Sequence, residues 1–148
     1  MKNITIYARG SWDWETRKGR FLAALEYQEH YRYITGGLTN TTTDRCILMG
    51  LLQAVHLVNQ PCKLRLVTAI QLSFNSLGNP KGRNKDLKQL LLNIIHKKQC
   101  SYEFDGWLGD GERLKARFAE IEKIAVKVAP IDIIAYYSAD DFQQPGLF

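Results

Sequence analysis

The chain has 148 residues, 45% of them hydrophobic and 24% charged, which fits one domain with a core large enough to fold alone. Its formal net charge of +5 is a mild electrostatic pointer to a polyanionic partner. No apolar run approaches the roughly 18 residues that a membrane span needs, and Met1-Lys2-Asn3 leads into strand-forming residues without a signal-peptide core, so the expectation is a soluble cytoplasmic protein with no membrane partner.

Ile4-Thr5-Ile6-Tyr7-Ala8-Arg9-Gly10-Ser11 reads as a central strand. It ends in a small residue, a charge and a Gly-Ser turn. Chemistry in an α/β sheet gathers at the carboxyl ends of strands, so Arg9 is expected on the functional surface. Trp12 to Arg20 follows as a hairpin loop of two indoles and three basic side chains. Such a loop either stacks bases and pairs phosphates or is a solvated turn with one Trp folded back on the sheet.

Phe21 to Tyr27 and Tyr31 to Thr35 read as two more strands, which makes an antiparallel meander. Gly36 to Asn40 is expected to break the pattern. Thr41-Thr42-Thr43-Asp44 supplies N-cap chemistry for an apolar helix over Cys46 to Val58, on which Gln53 and His56 are the exposed or hydrogen-bonded exceptions.

Lys63 to Val67 alternates polar with apolar residues as a strand, and Thr68-Ala69-Ile70-Gln71 ends it. A short helix is expected over Phe74 to Leu77, a basic turn over Gly78 to Lys85, a helix over Leu87 to His96 and a fifth strand over Ser101 to Trp107. Asp110-Gly111-Glu112 starts a last helix whose Leu114, Phe118, Ile121 and Ala125 share one face, with Arg117 one step from that stripe and turned toward the sheet edge. Pro130 closes the helix, Ile131 to Tyr137 forms an extended segment, and residues 138–148 form a polar tail. Residues 1–137 therefore read as the domain and 138–148 as a flexible tail. Cys46, Cys62 and Cys100 lack C-x-x-C spacing and read as reduced core thiols, which disfavours a disulfide framework or a zinc site. No cofactor is indicated.

This order of elements resembles the ribonuclease H fold, an α/β architecture with a five-stranded mixed sheet flanked by helices. Tyr7-Ala8-Arg9-Gly10-Ser11 is similar to that family's Tyr-Thr-Asp-Gly-Ser. Gly36-Gly37 followed by Asn40-Thr41-Thr42-Thr43-Asp44-Arg45-Cys46-Ile47-Leu48-Met49 resembles its Gly-Gly and Asn-Thr-Thr-Asn-Asn-Arg-Met-Glu-Leu helix start. Val67-Thr68-Ala69-Ile70-Gln71 is similar to Tyr-Thr-Asp-Ser-Gln, and Arg83-Asn84-Lys85-Asp86-Leu87 to Lys-Asn-Arg-Asp-Leu. The likeness covers about residues 3–128.

The resemblance implies cleavage of the RNA strand of an RNA/DNA hybrid by two magnesium ions on four carboxylates. Those positions fall on Arg9, Ile47, Ala69 and Arg117, and the family's loop His falls near Trp107. Magnesium wants oxygen ligands, which none of these side chains supplies. The resemblance therefore implies a catalytically inactive member with no metal.

Arg9 and Arg117 are expected to hold a phosphate, because a guanidinium fork binds one without activating water. The family's minor-groove contacts map onto Asn40, Thr42 and Gln71. The expected partner is thus nucleic acid, as RNA/DNA hybrid or structured duplex. Two other readings stay open: a protein-interaction adaptor or inhibitor, and a nuclease whose metal site is rebuilt from Asp13, Asp44, Asp105 or Asp110. The family's basic handle is shortened here to about Ser76 to Lys85. Finally, Gln144-Pro145-Gly146-Leu147-Phe148 resembles the Gln-x-x-Leu-Phe peptides that dock on the bacterial DNA sliding clamp, which makes Gln144, Leu147 and Phe148 candidate clamp contacts.

Overall fold

The computed structural model describes residues 1–68, 84–106 and 111–131. The elements are β1 (Lys2–Trp12), β2 (Gly19–Tyr27), β3 (His30–Leu38), α1 (Thr43–His56), β4 (Cys62–Thr68), α2 (Lys85–Lys97), β5 (Ser101–Gly106) and α3 (Gly111–Ala125). The five strands form one sheet in the order β3-β2-β1-β4-β5. The β1–β2 and β2–β3 pairs are antiparallel, while β1–β4 and β4–β5 are parallel, so the sheet is mixed with β1 at its centre.

Alternation along β1 divides its side chains between two layers. Ile4, Ile6 and Ala8 join Phe21, Leu25, Leu64 and Leu66 in a core with α1 and α2, where Leu51, Leu91 and Ile95 are fully buried. Each such aliphatic side chain contributes roughly 1.5–3 kcal/mol by leaving water. Tyr7, Ala24 and Val67 face the other way and pack with Phe118 and Ile121 of α3. Tyr7 and Phe118 meet edge to face, with ring centroids 5.9 Å apart. Residues 9 and 11 belong to this second layer, so Arg9 is aimed at α3 rather than α1.

Helix α1 is held at both ends. Thr42, in extended backbone, caps it by accepting from the Arg45 N–H at 3.3 Å. Lys98 donates its Nζ to His56 O at 2.6 Å and also to Val58 O, which satisfies carbonyls at the helix's far end. Every residue from Cys46 to His56 is buried, as its all-round apolar sequence requires. Gln53 and His56 are therefore buried rather than exposed; Gln53 Nε2 donates to Met49 Sδ at 3.6 Å.

Three expectations are corrected in detail. The first strand runs on to Trp12 and the second starts at Gly19, so the hairpin loop is only Asp13 to Lys18. Gly36 and Gly37 stay inside β3 because the Phe21 ring occupies the space a side chain would need: a Cβ on Gly36 would lie 2.5 Å from Phe21 Cε1. Helix α3 ends at Ala125, before Pro130, and Ile131 donates its N–H to Thr35 O at 2.8 Å. The expected helix over Phe74 to Leu77, most of the basic turn after it, the segment after Ile131 and the tail lie outside the described residues. Among the described residues no helix is long and apolar enough to cross a membrane.

Candidate nucleic-acid interface

At the carboxyl end of β1 the chain must pass close to α1. A Cβ on Gly10 would lie 2.6 Å from Cys46 Cβ and 2.8 Å from Thr43 O, so only a glycine lets the strand end reach the helix start. This contact brings Arg9, the Asp13–Lys18 loop and the Thr42 cap to one end of the molecule. The loop is tied down as well, since Thr41 donates its N–H to Arg17 O at 3.0 Å and Asp13 donates to Lys18 O at 2.8 Å.

Arg9 projects beside a cavity of about 310 Å³ whose lining includes Ser11, Arg20, Leu22, Glu122 and Val126. Its Nη1 lies 3.0 Å from Glu122 Oε1, and the two side chains are 44% and 46% exposed. Glu122 was not singled out by the sequence. It is the α3 residue that meets the end of β1, in the place expected of Arg117.

Arg117 instead faces a second cleft, of about 570 Å³, farther back along β1. It donates to Glu26 Oε2 at 2.6 Å, to Glu120 Oε2 at 3.1 Å and to the Tyr31 hydroxyl. Its guanidinium also lies 4.6 Å from the Tyr31 ring centroid and 5.6 Å from that of Tyr7. Burial works against its charge, but the hydrogen bonds it donates to Glu26, Tyr31 and Tyr7 outweigh that and hold it more firmly protonated than usual. Arg9 and Arg117 thus engage different partners and line different cavities, and the single phosphate fork expected of them is not assembled.

Ile47, at the expected helix carboxylate position, is 1% exposed and part of the α1 core. Among the described residues the carboxylate that meets the end of β1 is Glu122, and it is already bound to the Arg9 guanidinium. This arrangement does not fit a pair of magnesium ions. Asp13 accepts from the Glu15 N–H at 2.9 Å, and Asp105 accepts from Arg65 Nε at 2.7 Å. Among the described residues no group of three or more His, Cys, Asp or Glu is placed to hold a metal.

Asn40 is exposed in left-handed backbone at φ 54°, and Thr42 and Thr43 line a cavity of about 360 Å³ with Trp12, Asp44 and Asn84. Its far wall is fixed by Arg45, which donates to both oxygens of Asp86, at 3.0 and 2.8 Å, and to Asn84 Oδ1 at 3.3 Å. Trp14 is 73% exposed, whereas Trp12 is half-buried with the Arg17 guanidinium 5.4 Å from its ring. Of the remaining expected site residues, Ala69, Gln71, Trp107, Asp110, Gln144, Leu147 and Phe148 lie outside the described residues.

A meander feeding a helix, two parallel crossovers and a last helix over the strand ends define an α/β protein of the ribonuclease H-like fold. The N-terminal ribonuclease H domain of rv2228c from Mycobacterium tuberculosis, solved as a fusion with maltose-binding protein, superposes with a TM-score of 0.57 and 13% identity over 80% of this chain and 99% of that one. No protein-family model matches the chain. The ribonuclease H of Aeromonas hydrophila is 32% identical over 71 residues, 48% of this chain and 46% of the relative. Caulobacter vibrioides ribonuclease HI is 37% identical over 68 residues, and the match covers 46% of each chain. In these two cases the chain spans about half the length of the curated relative. Hahella chejuensis ribonuclease H is matched more fully, at 27% identity over 146 residues, 87% of this chain and 97% of the relative. The chain is thus similar in sequence to bacterial ribonucleases H and shares the fold of a ribonuclease H domain.

Proposed function

We propose that the chain binds nucleic acid, with an RNA/DNA hybrid as the first ligand to test, and does not cleave it. The reading rests on one observation. The side chain at the carboxyl end of β1 is the guanidinium of Arg9, set against α3 beside Arg20. A guanidinium there attracts a backbone phosphate where a carboxylate would have recruited a cation. The exposed indole of Trp14, the loop bases Arg17 and Lys18, and the polar pair Asn40 and Thr42 extend the same end of the sheet into a surface suited to stacking and phosphate contact. The ribonuclease H relatives support nucleic acid as the ligand class.

The test is a labelled RNA/DNA hybrid with magnesium or manganese present, read for mobility shift and for cleavage together. A salt-sensitive shift with intact strands, lost in Arg9→Glu, is the expected result. Metal-dependent cleavage abolished by Glu122→Gln would establish a rebuilt nuclease instead.

A second reading is favoured by the Gln144-x-x-Leu147-Phe148 pattern. In it the chain is an adaptor that reaches a sliding clamp through its tail. Clamp binding by a peptide of residues 139–148, weakened by Leu147→Ala with Phe148→Ala, together with no hybrid shift by the full chain, is the outcome that selects it.

A further inference from the structure

Cys62 and Cys100 stand at the amino ends of β4 and β5, each one residue before the first rung of that parallel ladder, Lys63 opposite Ser101. Their side chains lie on the same face: Cys62 is buried in the main core and Cys100 packs against the same cluster while partly reaching solvent. Both thiols are directed at one atom. Cys62 Sγ lies 3.0 Å from Gln60 O and Cys100 Sγ lies 3.9 Å from that same oxygen, with Lys98 O 3.6 Å from the second sulfur. Adjacent strands run about 4.8 Å apart, inside the roughly 4.4–6.8 Å Cα separation that a disulfide spans. Cys46 is remote from this pair, at the start of α1 beside Thr41 and Ser11.

We propose that Cys62 and Cys100 are a dithiol modification site that a hydroperoxide oxidises to an intramolecular disulfide tying β4 to β5. Cys100 is the sulfur the oxidant meets, because it is the one at the surface. Burial, and then the neighbouring Cys100, push the Cys62 thiol up to about 11, so Cys62 waits as the neutral resolving partner. In the first step the Cys100 thiolate attacks a peroxide oxygen, the O–O bond breaks, and a sulfenic acid forms as hydroxide leaves. In the second step the Cys62 sulfur attacks the sulfenic sulfur, the S–OH bond breaks, and the departing hydroxide leaves as water with the Cys62 proton. Two thiols have lost two protons and two electrons, and the hydrogen peroxide has become two waters.

The bond would close a loop holding all of α2, and it would sit beside Lys98, whose Nζ already bonds the end of α1. Oxidation then fastens the edge strand, the second helix and the end of α1 as one unit. Closing a loop of this length corresponds to a rise in Tm of up to about 10 °C.

The experiment treats the full chain with a small excess of hydrogen peroxide, removes the peroxide, unfolds the chain in guanidinium chloride, blocks free thiols with a maleimide and maps the peptides by mass spectrometry. The expected result is a Cys62–Cys100 linked peptide, a mass loss of about 2 Da, one remaining blockable thiol at Cys46 and a higher Tm reversed by dithiothreitol. Cys100→Ser, a change at a partly exposed position, should abolish the link and the Tm shift while leaving the reduced Tm nearly unchanged. Cys46→Ala should leave both effects intact. Three free thiols after treatment, sulfinic acid at Cys100 without a link, or a disulfide between two chains would each overturn the proposal.

Discussion

Arg9 and Glu122 are the ion pair that joins the end of β1 to the last turns of α3, with Nη1 3.0 Å from Oε1 and both side chains nearly half exposed. In water such a pair adds little to stability, on the order of 0–1 kcal/mol. On the proposed binding role its weight falls instead on the ligand, because the carboxylate occupies the guanidinium that a phosphate would need. Glu122→Gln is therefore expected to tighten hybrid binding about two- to five-fold at low salt, with the gain fading as salt rises. Electrophoretic titration at two ionic strengths checks this, and unchanged or weaker binding counts against Arg9 as the phosphate contact.

Arg117 behaves differently. It is only 26% exposed and links Glu26, Glu120 and Tyr31, so removing it leaves the Glu26 carboxylate without its cation in a half-buried place. Arg117→Met is expected to cost about 1–3 kcal/mol in urea unfolding, and Glu26→Gln in the same background should cost less than the two single changes added together. Hybrid affinity should change less with Arg117→Met than with Arg9→Glu.

The close fit of Gly36 over Phe21 makes a third prediction. A methyl group at residue 36 would meet the fully buried Phe21 ring at 2.5 Å, so Gly36→Ala should destabilise the protein by about 1–3 kcal/mol. Phe21→Leu combined with Gly36→Ala should recover part of that loss, which calorimetry on the two variants can read.

His56 gives the protein an acid-sensitive point inside α1. Burial, followed by the charges of Lys98 and Lys97, lowers its pKa from 6.5 to about 4. Above 6.5 both folded and unfolded chains hold it neutral. As pH falls below 6.5 the unfolded chain takes up the proton while the folded one does not, so stability drains away toward pH 4, by up to about 3 kcal/mol. Replacing His56 with Gln should flatten the Tm profile between pH 4 and 6.5. An equally steep profile in the variant would place the acid sensitivity elsewhere.

The order of elements was legible in the sequence because each described strand and helix carries its own period and its own stops. Thr42 caps where the Thr run announced a cap, and the Leu114, Phe118 and Ile121 stripe faces the sheet. What the stripe does not encode is where along its axis the helix rests. Arg117 and Glu122 differ by about 140° of helix rotation and roughly 7.5 Å of rise, and only docking on Tyr7 decides which of them meets the end of β1. The exposure of Trp14 was equally hidden. The loop hydrogen bonds that hold this turn in place, such as Thr41 to Arg17, cross between segments distant in the chain.

The burial of Ile47 also bears on which substitutions the fold accepts. A glutamate placed there alone would have to ionise where hydrocarbon now packs, or disturb the seam between Gly10 and α1. An aspartate placed at residue 9 alone would meet Glu122 as a like charge. Either carboxylate introduced singly is therefore expected to give a less stable chain, so this end of the sheet resists acquiring acidic groups one at a time.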